Sequence, residues 1–299
     1  MTSLIQQLQY AANELLTNYK DRNWWRDRMI HRLIKPIHMR SPNRGQAVCE
    51  ADWDNLIVLD ACRADLFETV IGAGQFDSYT TVMSNASATP NWVTRNFAGK
   101  AFPTIVYVSG NPQVPKYAAD SFVALENVWE SQFSDEHGTV PPEAVTEAAL
   151  GIHEEYPNKR LVVHYMQPHQ PFIDRFPGLT QNPFRALRDS TLTYDEVWEA
   201  YSHNLELAYA SVERLLDQLD GKTVITSDHG NLLGERLAPI PVRGYGHPPG
   251  IQHKHLQRVP WAEYHNGGSR RELTEGRISY STVSQSNIDD RLTQLGYKQ

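Results

Sequence analysis

The stretch Asn55-Leu-Ile-Val-Leu-Asp-Ala-Cys-Arg-Ala-Asp65 constrains the fold more than any other part of the chain. Four apolar residues run straight into Asp60, and a polar turn follows. A short unbroken apolar run closed by turn residues suits a strand buried on both faces of a helix-covered sheet. Open α/β sheets bind ligands beyond the carboxyl ends of their strands, and Asp60 stands at such an end. Taken alone, Asp60 reads as a cap for the next helix. Joined by other polar groups at the same edge, it reads as the first ligand of a metal site.

Further runs repeat the pattern. Thr104–Val108, Leu161–Met166 and Thr223–Thr226 read as strands, and Val259–Tyr264 as a last one. Residues 63–72, 141–155 and 287–294 read as helices. Thr193 and Glu196 have capping-box spacing and open a helix whose apolar stripe runs from Val197 to Leu219, with Gly221 as its stop. Strands alternating with helices predict a mainly parallel sheet with helices on both faces. Residues 79–97 read as a polar turn and a short helix from Pro90. Residues 173–192 read as an irregular insertion, and 266–285 as an exposed loop rich in Gly, Ser and charge.

The N-terminus is of another kind. Ser3 and Gln6 have capping-box spacing, and Leu4, Leu8, Ala11, Ala12, Leu15 and Tyr19 form an i, i+4 stripe. A second helical stretch carries Trp24, Trp25, Met29, Leu33 and Ile37 among Arg22, Arg26, Arg28, Arg32 and Lys35, and Pro36 should end it. Such a basic amphipathic helix either lies on an anionic membrane or packs on its own domain or a partner. The chain thus divides into an amphipathic segment, 1–38, a linker, 39–52, and a catalytic domain, 53–299.

A net charge of −7 argues against a general nucleic-acid binder. Two cysteines, Cys49 and Cys62, make neither a disulfide framework nor a zinc cluster, and Cys62 reads as an inert core thiol. No apolar run is long enough to span a bilayer and no signal-peptide core is present, so the expected location is cytoplasmic.

Four segments carry the chemistry. Asp60 ends one strand, and Asp228-His229-Gly230 follows another. Carboxylate and imidazole both ligate divalent transition metals, and in a parallel sheet these ends share one edge. Ser84-Asn-Ala-Ser-Ala-Thr-Pro90 places hydroxyls before a helix N-terminus, where anions are stabilised. Thr89 reads as the N-cap before Pro90, which leaves Ser87 as the first candidate nucleophile and Thr89 as the second. His169, in His164-Tyr-Met-Gln-Pro-His-Gln-Pro-Phe172, and His247, in Tyr245-Gly-His-Pro-Pro249, sit on proline-stiffened loops beyond the strands.

These motifs, with Arg258-Val-Pro-Trp261 and Arg291-Leu-Thr-Gln-Leu-Gly-Tyr297, resemble in order the sulfatase-like branch of the alkaline phosphatase superfamily. The resemblance implies an alkaline-phosphatase-like three-layer α/β/α sandwich. It also implies a hydrolase or transferase acting on anionic phosphate or sulfate esters through a metal-bound hydroxyl. It makes Asp60, Asp228 and His229 the metal ligands, Ser87 or Thr89 the nucleophile, and His169 and His247 the contacts to the ester. Arg63 and Asp65 match the family's Arg-Ala-Asp and read as structural.

The chain departs from the family at three places. The position that becomes formylglycine in sulfatases is Ala88, which favours phosphate-ester chemistry over sulfate. Ala61 follows Asp60 where members often have a second acid, and Gln167 replaces an acid before Pro168; both argue for one metal ion. His229 as a ligand favours Mn2+ or Zn2+ over Ca2+. The expected function is a single-metal phosphoesterase or phosphotransferase. The alternatives are a true sulfatase and a non-catalytic binding protein on the same fold.

Overall fold

The Asn55–Leu59 run is β1, the middle strand of a seven-stranded sheet. The computed structural model describes residues 6, 13–42, 44–179, 181–268, 272–280, 283–295 and 297. The other strands are β2 (Ser78–Met83), β3 (Phe102–Ser109), β4 (Phe122–Asn127), β5 (Arg160–Tyr165), β6 (Lys222–Thr226) and β9 (Arg258–His265). Between the last two, β7 (Leu232–Arg236) and β8 (Arg243–Gly246) form a separate antiparallel pair. The large sheet runs β2-β9-β6-β1-β5-β3-β4. Pairings among β6, β1, β5, β3 and β4 are parallel, and β9 runs antiparallel to both of its neighbours.

Alternation along β1 builds two cores. Leu56 and Val58 pack with Val162, Val224, Trp92 and Val93 on one face. Ile57 and Leu59 pack with Val163, Ile225, Val145, Leu205 and Val212 on the other. The first face is covered by the helices Thr89–Asn96 and Gln113–Ala118, the second by Ala64–Val70, Pro142–Glu155 and Tyr194–Leu216. The expected three-layer arrangement follows. Each aliphatic side chain buried in these layers contributes about 1.5–3 kcal/mol, which is why the four residues from Leu56 to Leu59 are all apolar. In register, Leu59 pairs with Tyr165 and Val58 with Thr226. The carboxyl ends of β1, β5 and β6 therefore lie at one edge.

Four readings are corrected. Residues 79–83 are not a turn: they belong to β2, whose alternating, half-exposed side chains suit an edge strand better than a buried run would. Pro36 does not end its helix. The turn Ile30–Ile34 is widened, with Lys35 N–H donating to Ile30 O, and Pro36 enters Lys35–Arg40 as it would a new helix start, so the chain stays helical to Arg40. The 173–192 insertion contains a helix, Pro183–Arg188, capped by Asn182. β4, β7 and β8 had no counterpart in the sequence reading; each is short or half-polar.

The capping box at Thr193 and Glu196 forms as expected. Ser3, Leu4, Leu8, Ala11, Ala12 and Gly296 lie outside the described residues. Among the described residues, no helix is long and apolar enough to cross a membrane.

Candidate active site

Asp60 follows β1, Asp228 and His229 follow β6, and Thr89 opens the Thr89–Asn96 helix; all four are fully buried. One ligand atom from each of Asp60, Asp228 and His229 lies within 4.8 Å of the others. The local backbone explains why. Ala61, at φ 60°, turns the chain sharply so that its N–H reaches Asp228 Oδ1 at 2.9 Å. His229 N–H donates to the same oxygen at 2.8 Å, which leaves Asp228 Oδ2 without a partner. Asp60 Oδ2 accepts from Asn111 Nδ2 and from the Tyr297 hydroxyl, leaving Asp60 Oδ1 equally free.

His229 Nδ1 lies 2.9 Å from Gly230 O, a contact that requires Nδ1 to carry the proton and directs the Nε2 lone pair into the site. Around that Nε2 stand Asp228 Oδ2 at 3.4 Å, Asp60 Oδ1 at 3.8 Å and Thr89 Oγ1 at 3.2 Å. Glycine at 230 is a packing requirement: a Cβ there would fall 2.2 Å from His255 O. Arg63, buried and bonded to Asp65, Glu235 and Asn231 O, pins the same turn from below.

Burial drives the Asp60 carboxyl well above the usual carboxylate range, and the charge of Asp228 adds to the rise. Burial also raises Asp228 and lowers His229 to about 4. Among the described residues, the charged-group contacts of Asp60 and Asp228 are to histidines, and one oxygen of each carboxylate is buried without a hydrogen bond. Oxygen and nitrogen donors, orphaned and aimed at one another, fit a divalent transition-metal ion.

His169 is held by backbone and helix together. Its N–H donates to Asp60 O at 3.0 Å. Asn204, on the long Tyr194–Leu216 helix, donates to His169 O at 3.0 Å and accepts from Ile173 N–H at 3.1 Å. Tyr201 of the same helix donates to Ala61 O, so one helix fixes both strand-end loops. The His169 ring stacks on Tyr297 at 4.8 Å and lies 5.0 Å from the His247 ring. His247 follows β8 through Gly246, at φ 66°, with Nδ1 2.9 Å from Asn231 Oδ1 and its ring 4.7 Å from that of His229. Burial pushes both imidazoles well below the usual histidine range.

The reading of Thr89 as the helix N-cap is corrected. Ala88, not Thr89, is the helix N-cap, and Thr89 is the first helical residue with no capping bond to make. Its hydroxyl is therefore available to the site. Ser87 points elsewhere: its Oγ donates to Pro248 O at 3.2 Å and accepts from Gly250 N–H at 3.1 Å.

Four residues join that sequence reasoning did not assign. His164, inside β5, has its Nε2 3.9 Å from Asp60 Oδ2 and its Nδ1 2.9 Å from the Tyr107 hydroxyl. A histidine within an apolar strand was the available signal. Asn111 follows β3 at the same sheet edge, and Asn204 interrupts an apolar helical stripe. Tyr297 gives no local signal. A cavity of about 350 Å³ is lined by Ala88, His247 and Tyr297, which adjoin the centre, and by Arg26, His31 and Arg185 among others.

The sequence profile described as Sulfatase matches residues 69–292. No curated protein sequence matches the chain. Solved structures resemble it at low identity. The soluble domain of lipooligosaccharide phosphoethanolamine transferase A from Neisseria meningitidis is 13% identical, with a TM-score of 0.48, over 70% of this chain and 75% of that one. The C-terminal periplasmic domain of EcEptC from Escherichia coli, in complex with zinc, is 12% identical, with a TM-score of 0.46, over 71% and 72%. The lipoteichoic acid synthase LtaP from Listeria monocytogenes is 14% identical, with a TM-score of 0.44, over 73% and 66%.

Proposed function

The chain belongs to the sulfatase family, and we propose that this member transfers or hydrolyses phosphate esters through Thr89. The observation that carries the reading is Thr89 Oγ1, 3.2 Å from His229 Nε2, in a chain with Ala88 where a sulfatase needs its formylglycine precursor.

Asp60, Asp228 and His229 would hold the metal ion. When bound, a divalent cation there lowers the pKa of the Thr89 hydroxyl and neutralises charge on the ester oxygens. Thr89 Oγ1 gives its proton to a neutral imidazole, His169 or His247, and forms a bond to phosphorus; the bond to the leaving oxygen breaks, and that oxygen takes the proton from the imidazole. Water or an acceptor hydroxyl then attacks the phosphothreonine, passing its proton through the same imidazole to Thr89 Oγ1, which leaves as the free hydroxyl. Burial alone keeps both histidines neutral; an anionic phosphate beside them favours the charged, proton-donating form. Asn204 holds the His169 backbone and Asn231 orients the His247 ring, which keeps both imidazoles within reach of one centre. Tyr297 and Asn111 hold Asp60 so that Oδ1 faces the site.

The test is hydrolysis of aryl phosphate and aryl sulfate esters with added Zn2+ or Mn2+, together with mass spectrometry of the protein during turnover. Phosphate-ester turnover with a phosphate on Thr89 supports the reading. Sulfate-ester turnover alone, or turnover that survives Thr89→Ala, overturns it.

A further inference from the structure

The outer side of the N-terminal helix carries residues that the fold does not use. Residues 22–40 run as one helix through the widened turn at Ile30–Ile34. Its inner stripe, Ile30, Ile34 and His38, is buried; Ile30 and Ile34 pack on Leu232, Leu237, Ile251 and Leu256, and His38 Nε2 lies 2.8 Å from Ala238 O. Beside that stripe Trp25, Leu33 and Ile37 are 40%, 50% and 46% exposed, and Leu16 and Met39 at the two ends are 73% and 67% exposed. Among the described residues, seven of the twelve large apolar side chains that are exposed lie in residues 13–40, so this is a concentration and not the scatter of an ordinary surface.

The charge is concentrated in the same place. Residues 13–44 hold eight Lys and Arg against three Asp and Glu, whereas the rest of the chain holds 20 against 32. Among the described residues, the ion pairs of this segment are Arg26–Asp27, Arg28–Glu14 and Arg188–Asp27, and the exposed Arg22, Arg32 and Arg40 stand outside them.

We propose that this face docks on an anionic lipid bilayer. An apolar row flanked by unpaired arginines matches acyl chains beneath anionic headgroups. A second copy of the chain is a poor occupant, because a two-fold contact would bring the same excess positive charge against itself. A nucleic acid would answer the arginines and leave Leu33, Ile37 and Met39 unpartnered. Arg26, Ile30 and His31 of the same helix line the cavity that His247 and Tyr297 also line. Docking therefore sets the cavity mouth beside the bilayer. The docking claim stands apart from the reaction.

The test is co-sedimentation of the full chain with vesicles of phosphatidylcholine, with or without about one-third phosphatidylglycerol. Binding should be at least about tenfold stronger with the anionic lipid and should weaken as salt is raised. Leu33→Ser with Ile37→Ser should cut it about tenfold, and so should Arg22→Ser, Arg32→Ser and Arg40→Ser together, with thermal melting unchanged in both variants. Absence of binding to anionic vesicles at low salt, or binding that both variants leave intact, overturns the proposal. So does a concentration-dependent dimer that Leu33→Ser with Ile37→Ser abolishes while vesicle binding is unaffected. Asp228→Asn should bind vesicles as the parent does, which separates failure of the reaction from failure of docking.

Discussion

Thr89 Oγ1 lies 3.2 Å from His229 Nε2, whereas Ser87 Oγ, two residues earlier, is bonded to Pro248 O and Gly250 N–H. The two hydroxyls are close in sequence and separated in role by where the helix begins. Thr89→Ala should lower kcat about a thousandfold or more, and Thr89→Ser should retain part of the activity. Ser87→Ala should stay within roughly threefold of the parent, since it loses only a loop contact. Steady-state kinetics on an aryl phosphate decides; a silent Thr89→Ala with a dead Ser87→Ala would restore the ordering first read from the sequence.

Metal uptake gives a second test. Asp60 Oδ1 and Asp228 Oδ2 are buried and unpartnered, so a cation that binds only the folded chain stabilises it by about 2.7 kcal/mol at a hundredfold excess over Kd. Adding Zn2+ or Mn2+ to chelator-treated protein should raise Tm by several degrees. Asp228→Asn should show no such rise and should carry no stoichiometric metal by elemental analysis. A variant that still binds one equivalent would remove Asp228 from the ligand set.

The fold was legible wherever burial alone dictates the residue type. β1 and β5 carry the apolar runs Leu56–Leu59 and Leu161–Val163, β6 carries Val224 and Ile225 between threonines, and the Tyr194–Leu216 helix has a capping box and an apolar stripe. The edge strand β2 and the β7–β8 pair were not legible, because half-exposed strands carry polar residues that read equally as turns. Within the site, strand-end acids and proline-bracketed histidines announce themselves locally. The choice between Ser87 and Thr89 rests on a one-residue difference in where the helix starts, and Tyr297 reaches Asp60 only through the tertiary fold.

Asn204 and His169 supply a third prediction. Replacing Asn204 by Leu keeps its branched heavy-atom skeleton and removes the donor to His169 O and the acceptor for Ile173 N–H. Buried groups left unpaired cost about 1–3 kcal/mol, so Tm should fall. The displaced imidazole should cost roughly tenfold to a hundredfold in kcat, with metal content unchanged. Loss of stability without loss of kcat would make Asn204 a purely structural residue.

Arg63 and Asp65 give the pH dependence. Burial raises the Asp65 pKa, but its hydrogen bonds to the buried Arg63 guanidinium outweigh that and hold it below the usual carboxylate value of 3.8. A carboxyl depressed in the folded state stabilises the protein above its unfolded pKa and loses that contribution as pH falls through the folded value. Stability should therefore drop below about pH 4, and Asp65→Asn should flatten that drop while lowering stability at neutral pH. Asp65 is 40% exposed, so solvent keeps the pair's worth to about 1 kcal/mol or less. Denaturant midpoints at pH 7 and pH 3.5 for both proteins read the difference directly.

Tyr297 stacks its ring on that of His169, and its hydroxyl donates to Asp60 Oδ2 at 3.1 Å and accepts from Asn111 Nδ2 at 3.1 Å. Tyr297→Phe keeps the stack and removes both hydrogen bonds; Tyr297→Ala removes the stack as well. Asp60 Oδ2 retains Asn111 in either case, so metal should still bind. The phenylalanine variant should lose about tenfold in kcat with little change in KM, because only the orientation of Asp60 is loosened. The alanine variant should lose more, and its KM should rise as the ring that lines the cavity disappears. If both variants match the parent in kcat, the C-terminal tyrosine covers the site without positioning Asp60.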